Sequence, residues 1–122
     1  MKHKKGAIVN CASVAGLVGF QGIPAYVASK HGIVGLTKTA ALEYARNGVR
    51  VNAVCPGVIQ TPMIERFTHS DPEAEKQLIR MEPIGRMAGP EEVAALAVWL
   101  CSDKASFITG YPYAVDGGFV AQ

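Results

Sequence analysis

Two short apolar runs rich in β-branched residues, AIVNC at 7–11 and VRVNAVC at 49–55, flank a stretch of helix formers with no internal proline. That order constrains this chain more than any other feature. Pro24 suits the first turn of the intervening helix, predicted over 24–47, and Gly48 suits the left-handed position just past its end. A strand, a long helix and a second strand make a βαβ unit, which requires two parallel strands joined by a crossover. Pro56-Gly57 stops the second strand where a loop leaves the sheet. Further along, Pro90-Glu91-Glu92 opens another helix to about Ser102, with acids at its positive dipole end, and 113–115 reads as a last short strand. The sum is an α/β chain with three parallel strands and three or four flanking helices.

Composition agrees with a sheet covered on both faces. Of the 122 residues, 49% are hydrophobic and only 18% charged, and the formal net charge is +2. This excludes intrinsic disorder and offers no broad basic face for nucleic acid. No apolar run is long enough to span a membrane. Met1-Lys2-His3-Lys4-Lys5 and the apolar residues that follow imitate a secretory signal, but Asn10 and Ser13 interrupt the imitation. Cys11, Cys55 and Cys101 are odd in number and widely spaced, with no CxxC pair, so we read them as buried, reduced thiols of a cytoplasmic protein and expect no metal site.

Chemistry concentrates near the first strand and the long helix. Tyr26 and Lys30 lie four residues apart, so both side chains emerge on one face, one turn apart. An ammonium close to a phenol favours the phenolate and makes the tyrosine useful as a proton donor or acceptor. Ser13 follows directly on the first strand end, and ligands of open α/β sheets bind outside the carboxyl ends of the strands. It is equally suited to be a turn residue that bonds local backbone. Small residues on the helix, Ala25, Ala28, Ser29, Gly32 and Gly35, suggest close approach by another backbone.

Taken in order, Ser13, Tyr26 and Lys30 resemble the short-chain dehydrogenase/reductase family. The matching segments are IVNCASVAG, YVASK, RVNAVCPG, IQT, PIGRMAGPEEVA and TGYPYAVDGG, which cover nearly the whole chain. The resemblance implies a Rossmann-like doubly wound parallel sheet and hydride transfer between NAD or NADP and an alcohol or ketone carbon of a small molecule. It implies Tyr26 as general acid/base, Ser13 as holder of the substrate oxygen, and Lys30 as partner of Tyr26 and of the nicotinamide ribose. Tyr26, Lys30, Pro56, Gly57, Ile59 and Thr61 are then the cofactor-binding residues, with Thr61 and its neighbouring backbone at the carboxamide. Residues 61–82 fall where the family places a substrate lid. Met63, Ile64 and Phe67 could form an apolar wall there, although we read them as packing of a short helix. Asn52 and Asp116 are read as structural, and Trp99 as core or a subunit contact.

The resemblance is to the C-terminal half of a family member. The Gly-rich turn that receives a pyrophosphate has no counterpart, since Gly16, Gly19 and Gly22 are spaced GxxGxxG and follow the strand that carries Ser13. The segment that would carry the family's catalytic asparagine is missing as well, and Asn10 does not match its position. We therefore read 1–122 as a partial Rossmann-like domain, the catalytic half without its dinucleotide-binding half, inactive alone. In a complete context it would assemble as a homodimer or homotetramer. Alternatively, the chain is a truncated oligomerisation module or an inactive remnant. Either way, open sheet edges and uncovered helix faces predict poor stability in isolation.

Overall fold

The computed structural model describes residues 5–122, so the basic N-terminal stretch lies mostly outside the described residues. Strands β1 (Gly6–Cys11), β2 (Val49–Pro56) and β3 (Pro112–Val115) form one parallel sheet in the order β1-β2-β3. The register runs from Gly6 opposite Val49 to Cys11 opposite Val54, and from Ala53 opposite Pro112 to Pro56 opposite Val115. As the middle strand, β2 is buried from Val51 through Cys55, which is why its residues do not alternate between apolar and exposed polar types.

Helix α1 spans Pro24–Tyr44 and tightens into a 3-10 turn at Ala45–Asn47, so the predicted helix ends as expected at Gly48, whose φ is 77°. Its buried contacts are Val34, Thr37 and Ala41, spaced to face the sheet, while Leu36 and Leu42 face outward. Two short helices follow β2: α2 (Pro62–Thr68), capped by the Thr61 hydroxyl, and α3 (Pro72–Arg80), capped by the Asp71 carboxylate. Helix α4 (Pro90–Cys101) starts with Glu92 accepting the Gly89 N–H at 2.8 Å and pairing bidentately with Arg86. The Arg86 guanidinium holds the Glu92 carboxyl down at about 2.

Buried polar groups tie the far end together. Asn52 donates to the Ile108 carbonyl at 3.0 Å and accepts the Tyr111 N–H at 3.2 Å. Arg50 reaches the Leu100 and Ser102 carbonyls at 2.8 and 3.1 Å, which satisfies the C-terminal end of α4. Asp116 accepts the N–H groups of Gly118 and Val120 and closes the turn after β3.

Three expectations change. Only Cys55 is a buried thiol, and burial pushes it up from its ordinary value. Cys11 and Cys101 are exposed because they end an edge strand and a half-covered helix. Trp99 is 39% exposed, which sets aside the core reading and keeps that of a subunit contact, whereas its neighbour Leu100 is fully buried. Finally, a Cβ at Gly32 or Gly35 would meet nothing within 4 Å among the described residues, so the close approach expected at these two positions is not made there.

Beyond β2, β1 pairs with no other strand among the described residues, and Leu42, Val98 and Phe107 are largely exposed. The 122-residue chain purified alone is expected to melt without a sharp transition and to elute as aggregate in size-exclusion chromatography. A cooperative melt from a monomer would contradict this.

Candidate active site

Ser13 and Tyr26 come from different elements and open onto one cavity. Ser13 follows β1 in extended conformation and caps a 3-10 turn at Val14–Gly16, its Oγ accepting the Ala15 N–H at 3.1 Å. The local-turn role and the catalytic role are therefore compatible, because the hydroxyl proton stays free to be donated. Tyr26 sits in the first turn of α1. Lys30 lies one turn on, with Nζ 5.5 Å from the Tyr26 ring centroid, and it makes no ion pair among the described residues.

The turn that bears Ser13 is pressed onto the helix that bears Tyr26 and Lys30. The contact is at Gly16, where a Cβ would stand 2.8 Å from the Lys30 carbonyl oxygen and 3.0 Å from Val34 Cγ2. Thus the close backbone approach looked for on the helix occurs, but the glycine that permits it is in the loop.

The cavity has a volume of about 470 Å³. Ser13, Tyr26, Gly57 and Val58 bring the polar and backbone groups of the strand ends to it, and its walls are Phe20, Ile23, Met63, Ile64, Phe67, Leu78, Met81 and Phe119. Phe20 and Phe119 stack at 5.6 Å between ring centroids. Met63 and Phe67 are more than half exposed and face this space, so they form a wall rather than the packing of a short helix, correcting the sequence reading.

The other predicted residues divide. Gly57 lies at the cavity and must be glycine, since a Cβ there would stand 2.7 Å from Glu82 Oε1 and 2.9 Å from Asp116 Cα. Pro56 ends β2 opposite Val115, and Ile59 is buried beside a bridge to Ala88. Thr61 lines a separate cavity with Gln60 and Ile64, and its hydroxyl is committed to the Ile59 carbonyl and the Ile64 N–H.

Sequence reasoning missed Gln21, Val58 and Glu82. Glu82 is a lone acid between Met81 and Pro83, and that isolation among apolar residues was the available signal. It is 5% exposed, and burial raises its carboxyl above the ordinary value, with the nearby Asp116 adding to the rise and the Val58 N–H opposing it. Among the described residues no group of acidic, histidine or cysteine side chains is arranged to hold a metal ion, and no helix is long and apolar enough to cross a membrane.

Residues 1–120 match a family profile described as enoyl-(acyl carrier protein) reductase. The chain is 53% identical over 117 residues to a cyclohexanol dehydrogenase from Acinetobacter, covering 96% of this chain and 44% of the relative. It is 52% identical over 117 residues to a 2,5-dichloro-2,5-cyclohexadiene-1,4-diol dehydrogenase from Sphingobium indicum, covering 96% and 47%. Among solved structures, a Beutenbergia cavernae protein with bound NADP superimposes with a TM-score of 0.93 at 41% identity, covering 99% of this chain and 48% of that one. The aldohexose dehydrogenase of Thermoplasma acidophilum gives 0.92 at 38% identity, covering 99% and 50%. The chain spans about half the length of the relatives it matches. A parallel sheet with the Ser13 turn and the Tyr26–Lys30 helix at its strand ends, together with these matches, establishes that the chain belongs to the short-chain dehydrogenase/reductase family.

Proposed function

We propose that this chain is the catalytic half of an NAD(P)-dependent oxidoreductase that interconverts an alcohol and a ketone. The observation that carries the reading is the shared cavity, where the Ser13 and Tyr26 side chains meet an apolar space with Lys30 one helical turn behind. The Ser13 hydroxyl donates to the substrate oxygen and holds it in reach of Tyr26. Tyr26 gives or takes the proton at that oxygen, and the Lys30 ammonium stabilises the phenolate that results. Residues 61–82 serve as the lid, and Met63, Ile64, Phe67, Leu78 and Met81 give it an apolar face toward the site.

The residues present fit one end of the cofactor. Gly57 lets the backbone lie close, Lys30 has a free ammonium for ribose hydroxyls, and Pro56, Ile59 and Thr61 flank the same strand end. With its hydroxyl spent on capping, Thr61 would meet the carboxamide through the neighbouring backbone. The described residues contain no Gly-rich turn for the pyrophosphate. When bound, the nicotinamide supplies or accepts the hydride.

No lysine, arginine or histidine lines the cavity among the described residues, which favours an uncharged substrate. With the chain joined behind the N-terminal half of the cyclohexanol dehydrogenase, kcat/KM for an uncharged cyclic secondary alcohol is expected to exceed that for a hydroxy acid of similar size by about a hundredfold or more. The reverse preference would overturn the substrate class. Failure to turn over any alcohol or ketone would overturn the oxidoreductase reading. The exposed apolar residues of α1 and α4, Leu36, Leu42 and Val98, favour a second property, assembly into a homo-oligomer through these helices.

A further inference from the structure

Glu82 stands at a joint of three chain segments. Its Oε1 accepts the Val58 N–H at 2.8 Å, which pins the turn after β2. Its Oε2 is buried without a hydrogen-bond partner, 3.3 Å from where a Cβ on Gly117 would be. Backbone bonds complete the joint: Gly57 N–H to the Val115 carbonyl at 2.9 Å, Ile84 N–H to the Gly117 carbonyl at 3.1 Å, and Ala88 N–H to the Val58 carbonyl at 3.1 Å. Gly57 and Val58 line the catalytic cavity on one side, and Glu82 lines both it and a smaller cavity of about 180 Å³ behind.

We infer that Glu82 is a positioning residue that acts through Val58, holding the 56–59 turn at the height at which the nicotinamide must be received. A buried carboxyl is an expensive strut, since an apolar side chain would fill the same space without an orphaned oxygen. Only an acceptor at that place satisfies the Val58 N–H, however, and an unpaired buried N–H would let the turn lift. The Val58 N–H favours the ionised carboxyl, but burial favours the neutral form more strongly. Of its charged neighbours, Asp116 adds to this rise as a like charge across the joint, and the Arg86 that lines the smaller cavity is committed to Glu92. A carboxyl raised above its ordinary value contributes stability that is fully present below about pH 4.5 and is lost as the pH rises through the folded value. Ionisation therefore loosens the joint on the alkaline side.

The kinetic arm of the test rests on the proposed oxidoreductase reading, whereas the exchange arm does not. In the assembled enzyme, with this chain joined to the N-terminal half of the same relative, E82Q and E82L are compared with the parent. E82L is expected to speed amide hydrogen exchange at Val58 and to raise KM for the nicotinamide cofactor, each by about tenfold, with a smaller change in kcat. E82Q keeps the acceptor and is expected to restore both. After correction for intrinsic exchange, protection of Val58 should fall with rising pH in the parent and stay level in E82Q. Unchanged exchange in E82L overturns the proposal, as does altered exchange with an unchanged cofactor KM. If the parent itself lacks turnover while Val58 exchange still follows the side chain and the pH, the turn assignment stands and the oxidoreductase reading fails.

Discussion

Tyr26→Phe is expected to lower turnover of the assembled enzyme by about a thousandfold or more while leaving thermal stability within roughly 0.5 kcal/mol of the parent. Both halves of this expectation come from the site. Among the described residues at the cavity, Ser13 and Tyr26 carry hydroxyls, whereas the Glu82 carboxyl is held by the Val58 N–H, and phenylalanine keeps the Tyr26 ring while removing its proton. Stability should hold because Tyr26 is 37% exposed and its hydroxyl takes part in none of the hydrogen bonds that tie the described residues together. Single-turnover hydride transfer followed by nicotinamide absorbance, alongside a thermal melt of the same sample, tests the two together. Activity within tenfold of the parent would remove Tyr26 from the mechanism.

Gly16→Val is the second large effect, and it acts on geometry without touching any reacting group. A Cβ at this position lands 2.8 Å from the Lys30 carbonyl oxygen, 3.1 Å from its carbon and 3.0 Å from Val34 Cγ2, so the loop must move off the helix. Two of these atoms belong to helix backbone and cannot yield by a change of rotamer. Overpacking of this kind costs about 1–3 kcal/mol in stability. The displaced loop carries Ser13, three residues earlier, and an error of about 1 Å between catalytic groups can cost roughly a hundredfold in rate. We expect kcat to fall by about that factor at a temperature where the protein remains folded. Gly16→Ala should show a smaller loss in the same direction. A folded Gly16→Val enzyme with parental kcat would mean that the spacing between Ser13 and the helix does not matter to the reaction.

These two residues show how much of the molecule was legible from the chain alone. The pairing of Tyr26 with Lys30 follows from helical period, a property of five consecutive residues, and needed nothing distant. The βαβ order was equally readable, since the buried run at 49–55 and the glycine at 48 are local signals of a covered strand and a helix end. Helix α1 began at Pro24 as expected because proline fixes the first turn without losing a hydrogen bond.

What the chain could not disclose was which distant parts would touch. The small residues of α1 were the visible sign of a close contact, yet Gly32 and Gly35 face open space and the contact lies at Gly16, in a loop with no periodicity to read. Met63 and Phe67 carry the pattern of packing residues, and only the placement of α2 over the Ser13 end of the sheet makes them a cavity wall. Glu82 is further still from local inference, because its acceptor role depends on Val58, 24 residues earlier, and its isolation on Gly117, far later in the chain. Local sequence therefore determined the elements and the Tyr26–Lys30 pair, since backbone propensity and side-chain period act over a few residues. Tertiary structure decided the cavity, the fit of Gly16 and the burial of Glu82, since these arise only when segments remote in sequence exclude water from one another.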